Sequence, residues 1–286
     1  MAANSRMIES DRAVFVDSHA HIELPPLMNE IEGVLRRASL AGVAAIVCVG
    51  IDLDDAKRTL EIVDRFDQVF ACLGFHPHSA KEVGEHGLAE MENLAQHPRV
   101  VGYGEIGLDF FRNLSPKDVQ KGVFRDQISL AKSLAKPIVV HLRNAYDEGL
   151  RMLEQAVPFP QGGVIHCFSG DSNHAARALA LGFHVSIPGT VTYKKNDGLR
   201  SIVKSLPAEK ILLETDCPFL APEPLRGRDN EPANIIYTAK KVASVRNVSV
   251  KEIAWTTTNN TMRLFGLPTR IVEYAAEVVD PRAPYT

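Results

Sequence analysis

Short apolar runs rich in β-branched residues alternate with segments whose apolar positions recur every three or four residues. The alternation lasts from about residue 14 to about residue 265. The runs 14–18, 44–49, 69–74, 100–105, 137–141, 163–167, 183–187 and 210–214 are mostly apolar on both faces. That is expected of strands covered by helices on one side and by a barrel interior on the other. Between them the spacing predicts helices over 27–40, 52–66, 86–96, 116–135, 145–156, 172–181 and 194–205. In the first of these Ile31, Val34, Leu35 and Ala38 share one face, and Gly42 stands where the helix can end. Asp52 and Ser115, the latter followed by Pro116, are the expected N-caps of two others.

Eight strands joined by helical crossovers predict an α/β fold, a closed parallel (β/α)8 barrel of the TIM type. A doubly wound sheet of six strands leaves the last two strands and their motifs unexplained. Two extra C-terminal helices are expected near 231–246 and 249–265. The expected organisation is an N-terminal extension over 1–13, a single barrel domain over 14–266 and a C-terminal tail over 267–286. A length of 286 residues suits one such barrel, which typically needs roughly 250.

Charge and cysteine use narrow the classes. A formal net charge of −3 argues against bulk binding of nucleic acid through a basic surface. It leaves room for an enzyme that grips phosphate with a few placed cations. Cys48, Cys72, Cys167 and Cys217 show no C-x-x-C spacing and fall in or beside apolar strands, so reduced, largely buried thiols are expected. The first residues are polar without an apolar signal core, and no stretch approaches the roughly 18–20 apolar residues of a membrane span. The expectation is a cytoplasmic protein with no membrane contact and no obligate protein partner.

Candidate chemistry gathers at strand ends. VFVDSHAH offers His19 and His21, VVGYGEIGLD offers Glu105, PIVVHLR offers His141, GVIHCFSG offers His166, and ILLETDCP offers Asp216. In a barrel of this type these ends meet at one rim, where chemistry is built. His19 and His21 are two apart on a strand and project from the same face, with Asp17 one step deeper and able to orient a ligand ring. The glycines at 102, 104 and 107 let backbone approach a ligand near Glu105. Singly, each residue has an ordinary explanation: solvated loop histidines, a surface acid, a hydrogen-bonded core histidine. Jointly, four histidines and two carboxylates at one rim predict two divalent cations bridged by Glu105. His19, His21 and Asp216 would complete one site, His141 and His166 the other. Mixed nitrogen and oxygen donors suit Zn²⁺, Mn²⁺ or Fe²⁺, whereas Mg²⁺ prefers oxygen. Water acidified between the cations would supply hydroxide near neutral pH, with Asp216 placed to accept its proton. Glu105 and Asp216 are thus the expected catalytic carboxylates.

The ordered set DSHAH, GFHPH, GEIGLDF, HLRNAYD, HCFSG and ETDCPFLAPEPLRGRDNEP resembles the TatD family of metal-dependent deoxyribonucleases, within the amidohydrolase-like barrels, from about residue 14 to 266. The resemblance implies a TIM-type barrel, a phosphodiesterase acting on DNA with Mg²⁺ or Mn²⁺ and 3′-to-5′ exonuclease action. By motif position it implies the same six ligands. Glu105 stands where many relatives in the wider superfamily carry a carboxylated lysine.

Phosphate must also be held. His76 and His78 in GFHPH, Arg112, Arg143 and Arg226 all follow strands and are candidates, since a guanidinium can donate two parallel hydrogen bonds to phosphate. Asp109 and Asp147 lie in the same loops and are expected to lock one of these arginines. Lys194 and Lys195 could meet a nucleic-acid backbone, and Phe110, Phe111 and Tyr193 could stack a base. The leading expectation is a nuclease for single-stranded DNA or 3′ ends. The alternatives are an amide, ester or lactone hydrolase, aminoacyl-tRNA deacylation included, and a non-catalytic metal-bound interaction module.

Overall fold

The computed structural model describes residues 13–271; residues 1–12 and 272–286, which hold most of the expected extension and tail, lie outside the described residues. Eight strands form one sheet in sequence order: β1 (Phe15–Ala20), β2 (Val43–Gly50), β3 (Val69–Leu73), β4 (Val100–Asp109), β5 (Ile138–Arg143), β6 (Gly163–Ile165), β7 (His184–Ile187) and β8 (Ile211–Leu213). Every adjacent pair from β1–β2 to β7–β8 is parallel. Around it run α1 (Ile31–Leu40), α2 (Leu53–Arg65), α3 (Gly87–Ala95), α4 (Lys117–Ser133), α5 (Tyr146–Gln155), α6 (Ser172–Ala180) and α7 (Asp197–Ser205), followed by α8 (Ile235–Arg246) and α9 (Val250–Phe265). This is the expected TIM barrel with two extra C-terminal helices. No helix among the described residues is long and apolar enough to cross a membrane.

The ring closes between β8 and β1 just beyond the ends of the regular strands. Asp216 N–H donates to the His19 carbonyl at 3.0 Å, and His21 N–H to that of Cys217 at 2.7 Å. The Asp17 carboxylate adds a side-chain staple, accepting from Thr215 N–H at 3.0 Å and from its hydroxyl at 2.5 Å. Asp17 therefore joins two strands and does not touch a histidine ring. Its deeper place on β1 puts it level with Thr215, below the imidazoles.

The helix faces pack as patterned: Ile31, Val34, Leu35 and Ala38 are all buried. Asp52 caps α2, accepting from Asp55 N–H at 2.8 Å. Ser115 does not cap α4, which begins after Pro116; its hydroxyl donates to the His78 carbonyl at 2.7 Å and accepts from Lys81 N–H at 3.1 Å. The segment 27–30 is a 3-10 turn ahead of α1, and α7 starts three residues later than the pattern suggests. β4 runs four residues past Glu105. The glycines there serve the sheet itself and not a ligand: a Cβ on Gly104 would overlap the Val139 carbonyl, one on Gly107 the His141 carbonyl, and one on Gly102 the Cys72 sulfur.

A small core of strand residues, including Val139, Val164 and Leu212, is closed at one end by Phe265, Leu267 and Ile271. Val139 and Val164 lie two residues before His141 and His166, and so share their strand face. Apolar packing thus supports the polar rim from beneath.

His184, at the start of β7, carries a testable consequence. Burial, with Lys210 nearby, pushes its imidazole down to about 4 from an ordinary 6.5, and its Nδ1 is buried without a partner. The unfolded chain then binds more protons than the folded one over this range. The stability contributed above pH 6.5 is lost as pH falls through the folded value. Metal-free protein is expected to melt at lower temperature at pH 5 than at pH 7, and His184→Gln to lose less over the same interval. Scanning calorimetry at the two pH values checks both.

Candidate metal centre

Alternation on β1 places His19 and His21 on one face, and Glu105 reaches the same point from β4. The Nε2 atoms of His19 and His21 are 3.3 Å apart, and both face Glu105 Oε2, at 3.3 and 3.7 Å. Asp216 Oδ1 lies 3.8 and 3.6 Å from the same two nitrogens. A tetrahedron of ligands at about 2.1 Å from a cation has edges of about 3.4 Å. The five separations, 3.3–3.8 Å, are near that edge, and the donor atoms of His19, His21 and Asp216 all lie within 4.8 Å of one another. Asp216 reaches the group because its backbone turns left-handed after β8, with φ 55°, a region Asp tolerates better than most residues.

The other oxygen of Glu105 faces a second set. Oε1 lies 2.6 Å from His141 Nδ1, 2.8 Å from His166 Nε2 and 3.5 Å from His76 Nε2. The two shortest separations are hydrogen-bond lengths, so this set is drawn closer together than the first. Glu105 divides its two oxygens between the two sets, as a bridging carboxylate must. Glu105 is buried, and so are His19, His21, His76 and His166.

Electrostatics mark the cluster as one that wants cations. Burial would raise Glu105, yet His166, His76 and His141 outweigh it and hold the carboxyl well below its usual range. Burial pulls His19 down to about 4. It opposes the charge on His21 too, but Glu23, Asp216 and Glu105 prevail and push that ring up to about 9. Burial lifts Asp216 to about 6. His19 Nδ1, His166 Nδ1 and Glu214 Oε2 are buried without a hydrogen-bond partner, an unfavourable arrangement for polar atoms out of water. Three groups of imidazole and carboxylate donors, His19–His21–Asp216, His76–Glu105–His141 and His19–His166–Glu214, each have their atoms within 4.8 Å of one another and could hold a metal ion.

Carboxylates behind two of the rings, those of His21 and His141, fix their orientation. His21 Nδ1 lies 2.9 Å from the Val49 carbonyl and 3.3 Å from Glu23 Oε1. His141 Nε2 lies 3.3 Å from Asp109 Oδ2; Glu214 Oε1 stands 3.6 Å behind His166 Nδ1, close enough for charge attraction but not for a hydrogen bond. Asp109 also meets His78 Nε2 at 2.9 Å and accepts from the backbone N–H groups of Phe111 and Arg112. It therefore holds histidines and a turn, not an arginine side chain. Asp147 turns away from the rim arginines to pair with Arg177 at 3.0 Å and His174 at 3.3 Å, because the first turn of α5 faces α6. Glu23 and Glu214 escaped the sequence reading. Both are fully buried, and each sits two residues from a proposed ligand, His21 and Asp216, which is the signal that could have found them.

His76 points into the second set. Its Nδ1 accepts the N–H of His78 at 3.0 Å, and burial lowers its basicity well below the ordinary value. The neutral ring thus carries its proton on Nε2, a fixed donor aimed at the cluster. Arg112, Arg143 and Arg226 are exposed, and none has an ion-pair partner among the described residues. Arg143 lies over the Phe111 ring at 4.1 Å and Arg226 over Tyr193 at 4.4 Å. Lys194 and Lys195 are exposed in the loop before α7. All four cysteines are free thiols; Cys48, Cys72 and Cys217 are buried and Cys167 partly so. Burial pushes the Cys167 thiol up, so it stays protonated.

Known proteins resemble this chain in sequence and fold. The family model described as TatD-related DNase matches residues 16–266. YabD of Bacillus subtilis, named an uncharacterized metal-dependent hydrolase, is 39% identical over 249 residues, covering 87% of this chain and 98% of its own. The Mycobacterium tuberculosis protein named uncharacterized metal-dependent hydrolase TatD is 35% identical over 259 residues, with 88% and 98% covered. The crystal structure of YjjV, a TatD homolog from Escherichia coli, superimposes with a TM-score of 0.85 at 30% identity, over 89% of this chain and 98% of that one.

Proposed function

Because the chain belongs to the family of TatD-related DNases and is a metal-dependent hydrolase of that type, we propose that it is a deoxyribonuclease. It hydrolyses DNA phosphodiester bonds, preferentially from 3′ ends of single strands. The observation that carries this reading is the group of exposed rim arginines, Arg112, Arg143 and Arg226, that have no ion-pair partner among the described residues. A rim serving a neutral amide or ester has no use for three such cations. A phosphate backbone does.

In this reading His19, His21, Asp216 and Glu105 would hold one cation, and His141, His166 and Glu105 would hold a second. Two divalent ions supply Lewis-acid polarisation of a phosphoryl oxygen and lower the pKa of water. The protein does the rest. Asp216, whose side chain is 13% exposed against 3% for Glu105, is the carboxylate open to the substrate side and accepts the proton of the attacking water. His76 donates its Nε2 proton in a hydrogen bond to a non-bridging oxygen, with His78 alongside. Arg143 and Arg226, steadied on aromatic rings, fix the neighbouring phosphates.

Arg143→Ala and Arg226→Ala are each expected to raise KM for a single-stranded oligonucleotide about tenfold, with little change toward a small uncharged ester. Steady-state kinetics on both substrates checks this. If both variants leave the principal activity untouched, the phosphate reading loses its support. The wider test is digestion of 5′-end-labelled DNA with Mg²⁺, Mn²⁺ or Zn²⁺ supplied. A ladder shortening from the 3′ end supports the proposal; turnover of amide or ester substrates without any DNA cleavage turns the assignment to the other hydrolase class.

A further inference from the structure

Two large aromatic side chains stand exposed at opposite points of the rim. Phe219 is 53% exposed and Phe111 58%. Phe219 follows β8 and lies beside β1, its ring centroid 6.1 Å from that of His21. Phe111 follows β4, its N–H bound to Asp109 Oδ1 at 3.0 Å, and its ring carries the Arg143 guanidinium from β5. In a ring of eight strands running β1 to β8 in order, the β8–β1 seam and the β4–β5 pair are diametrically opposed. The Glu105 cluster, contacted by residues of β1, β5 and β6, therefore lies between the two rings.

Both platforms are held in place. Phe219 N–H donates to the Asp216 carbonyl at 3.0 Å, and its own carbonyl accepts from the buried Asn230 amide at 2.8 Å. The other rim aromatics are engaged: Lys117 lies over Phe110 at 4.7 Å, while Tyr193 carries Arg226 and donates its hydroxyl to the Ala221 carbonyl at 3.1 Å. Phe219 and Phe111 are the rim aromatics that stand more than half exposed, Phe111 with Arg143 stacked on its ring.

Resting on the deoxyribonuclease reading, we propose that Phe219 and the Phe111–Arg143 pair stack the two nucleobases that flank the scissile phosphate, one on each side of the metal centre. Every base has a π face, so such platforms bind without sequence preference. Bases parted to opposite sides of the rim cannot be paired with a complementary strand. Single-strandedness at the point of cleavage is then a consequence of the rim, and a duplex end must fray by about two nucleotides before it reacts.

The test compares a single-stranded oligonucleotide with one of equal length whose two 3′-terminal nucleotides are abasic, each with wild type, Phe219→Ala, Phe219→Trp and Phe111→Ala. Phe219→Ala should raise KM about tenfold on the base-bearing strand and leave the abasic strand unchanged, with Phe219→Trp restoring the wild-type value; Phe111→Ala, which also frees Arg143, should raise KM on both strands and more on the base-bearing one. Wild type that degrades DNA while Phe219→Ala shows an unchanged KM, or an equal rise on both strands, overturns the stacking assignment alone. Wild type that hydrolyses an uncharged ester with metal but neither strand overturns the nuclease reading, and the stacking assignment with it.

Discussion

Glu105→Gln is expected to lower metal-dependent hydrolysis at least about a thousandfold while the barrel stays folded. The substitution keeps side-chain volume, so the packing around this buried position survives. What changes is the donor set. The carboxylate turns Oε2 toward His19 and His21 and Oε1 toward His141 and His166. An amide has one oxygen, and its NH₂ group cannot ligate a cation, so one set loses its shared ligand whichever way the amide flips. The negative charge that would offset bound cations is lost as well. Metal content measured on the purified variant should fall to one ion per chain or fewer. Circular dichroism should match wild type, which separates this outcome from misfolding. Full activity in a variant freed of trace wild-type enzyme would remove Glu105 from the centre of the account.

Gly107→Ala should be the most damaging single methyl in the chain, destabilising by about 3 kcal/mol or more. Gly107 pairs with His141 across β4–β5 and has φ 147°, a conformation that side chains rarely adopt, and the added Cβ would fall on the His141 carbonyl. The chain must either separate β4 from β5 or shift His141, so folding and metal binding fail together. For a chain of this size that stability loss lowers the melting temperature by roughly 6–12 °C. Gly122→Ala is the control: its Cβ would meet nothing within 4 Å on α4, and Ala in a helix is favoured over Gly by about 1 kcal/mol. Thermal melts of the two variants should therefore move in opposite directions. A Gly107→Ala protein that melts with wild type would mean the strands are not packed as described.

The sequence carried the fold because apolar runs and helical periodicity alternate with little interruption, and every one of the eight runs became a strand. It carried the cluster because His19, His21, Glu105, His141, His166 and Asp216 all fall at one end of those runs. The parts not legible are contacts between distant strands. That Asp17 staples β1 to β8 through Thr215 depends on two residues 198 apart in the chain, which no local pattern reports. Glu23 and Glu214 look like a loop acid and a strand-end acid until the barrel sets them behind His21 and His166. The glycines near Glu105 read as room for a ligand, whereas they let β4 pack against β3 and β5. Ser115 has the chemistry and position of an N-cap, but the returning loop at His78 claims its hydroxyl.

The central claim is a pair of cations sharing Glu105. Its most direct measurement is anomalous scattering from crystals of the full chain soaked in Mn²⁺. The account predicts two peaks flanking the Glu105 carboxylate, one contacted by His19, His21 and Asp216, the other by His141 and His166. A single peak that Glu105 does not touch, or none at the rim, would contradict it.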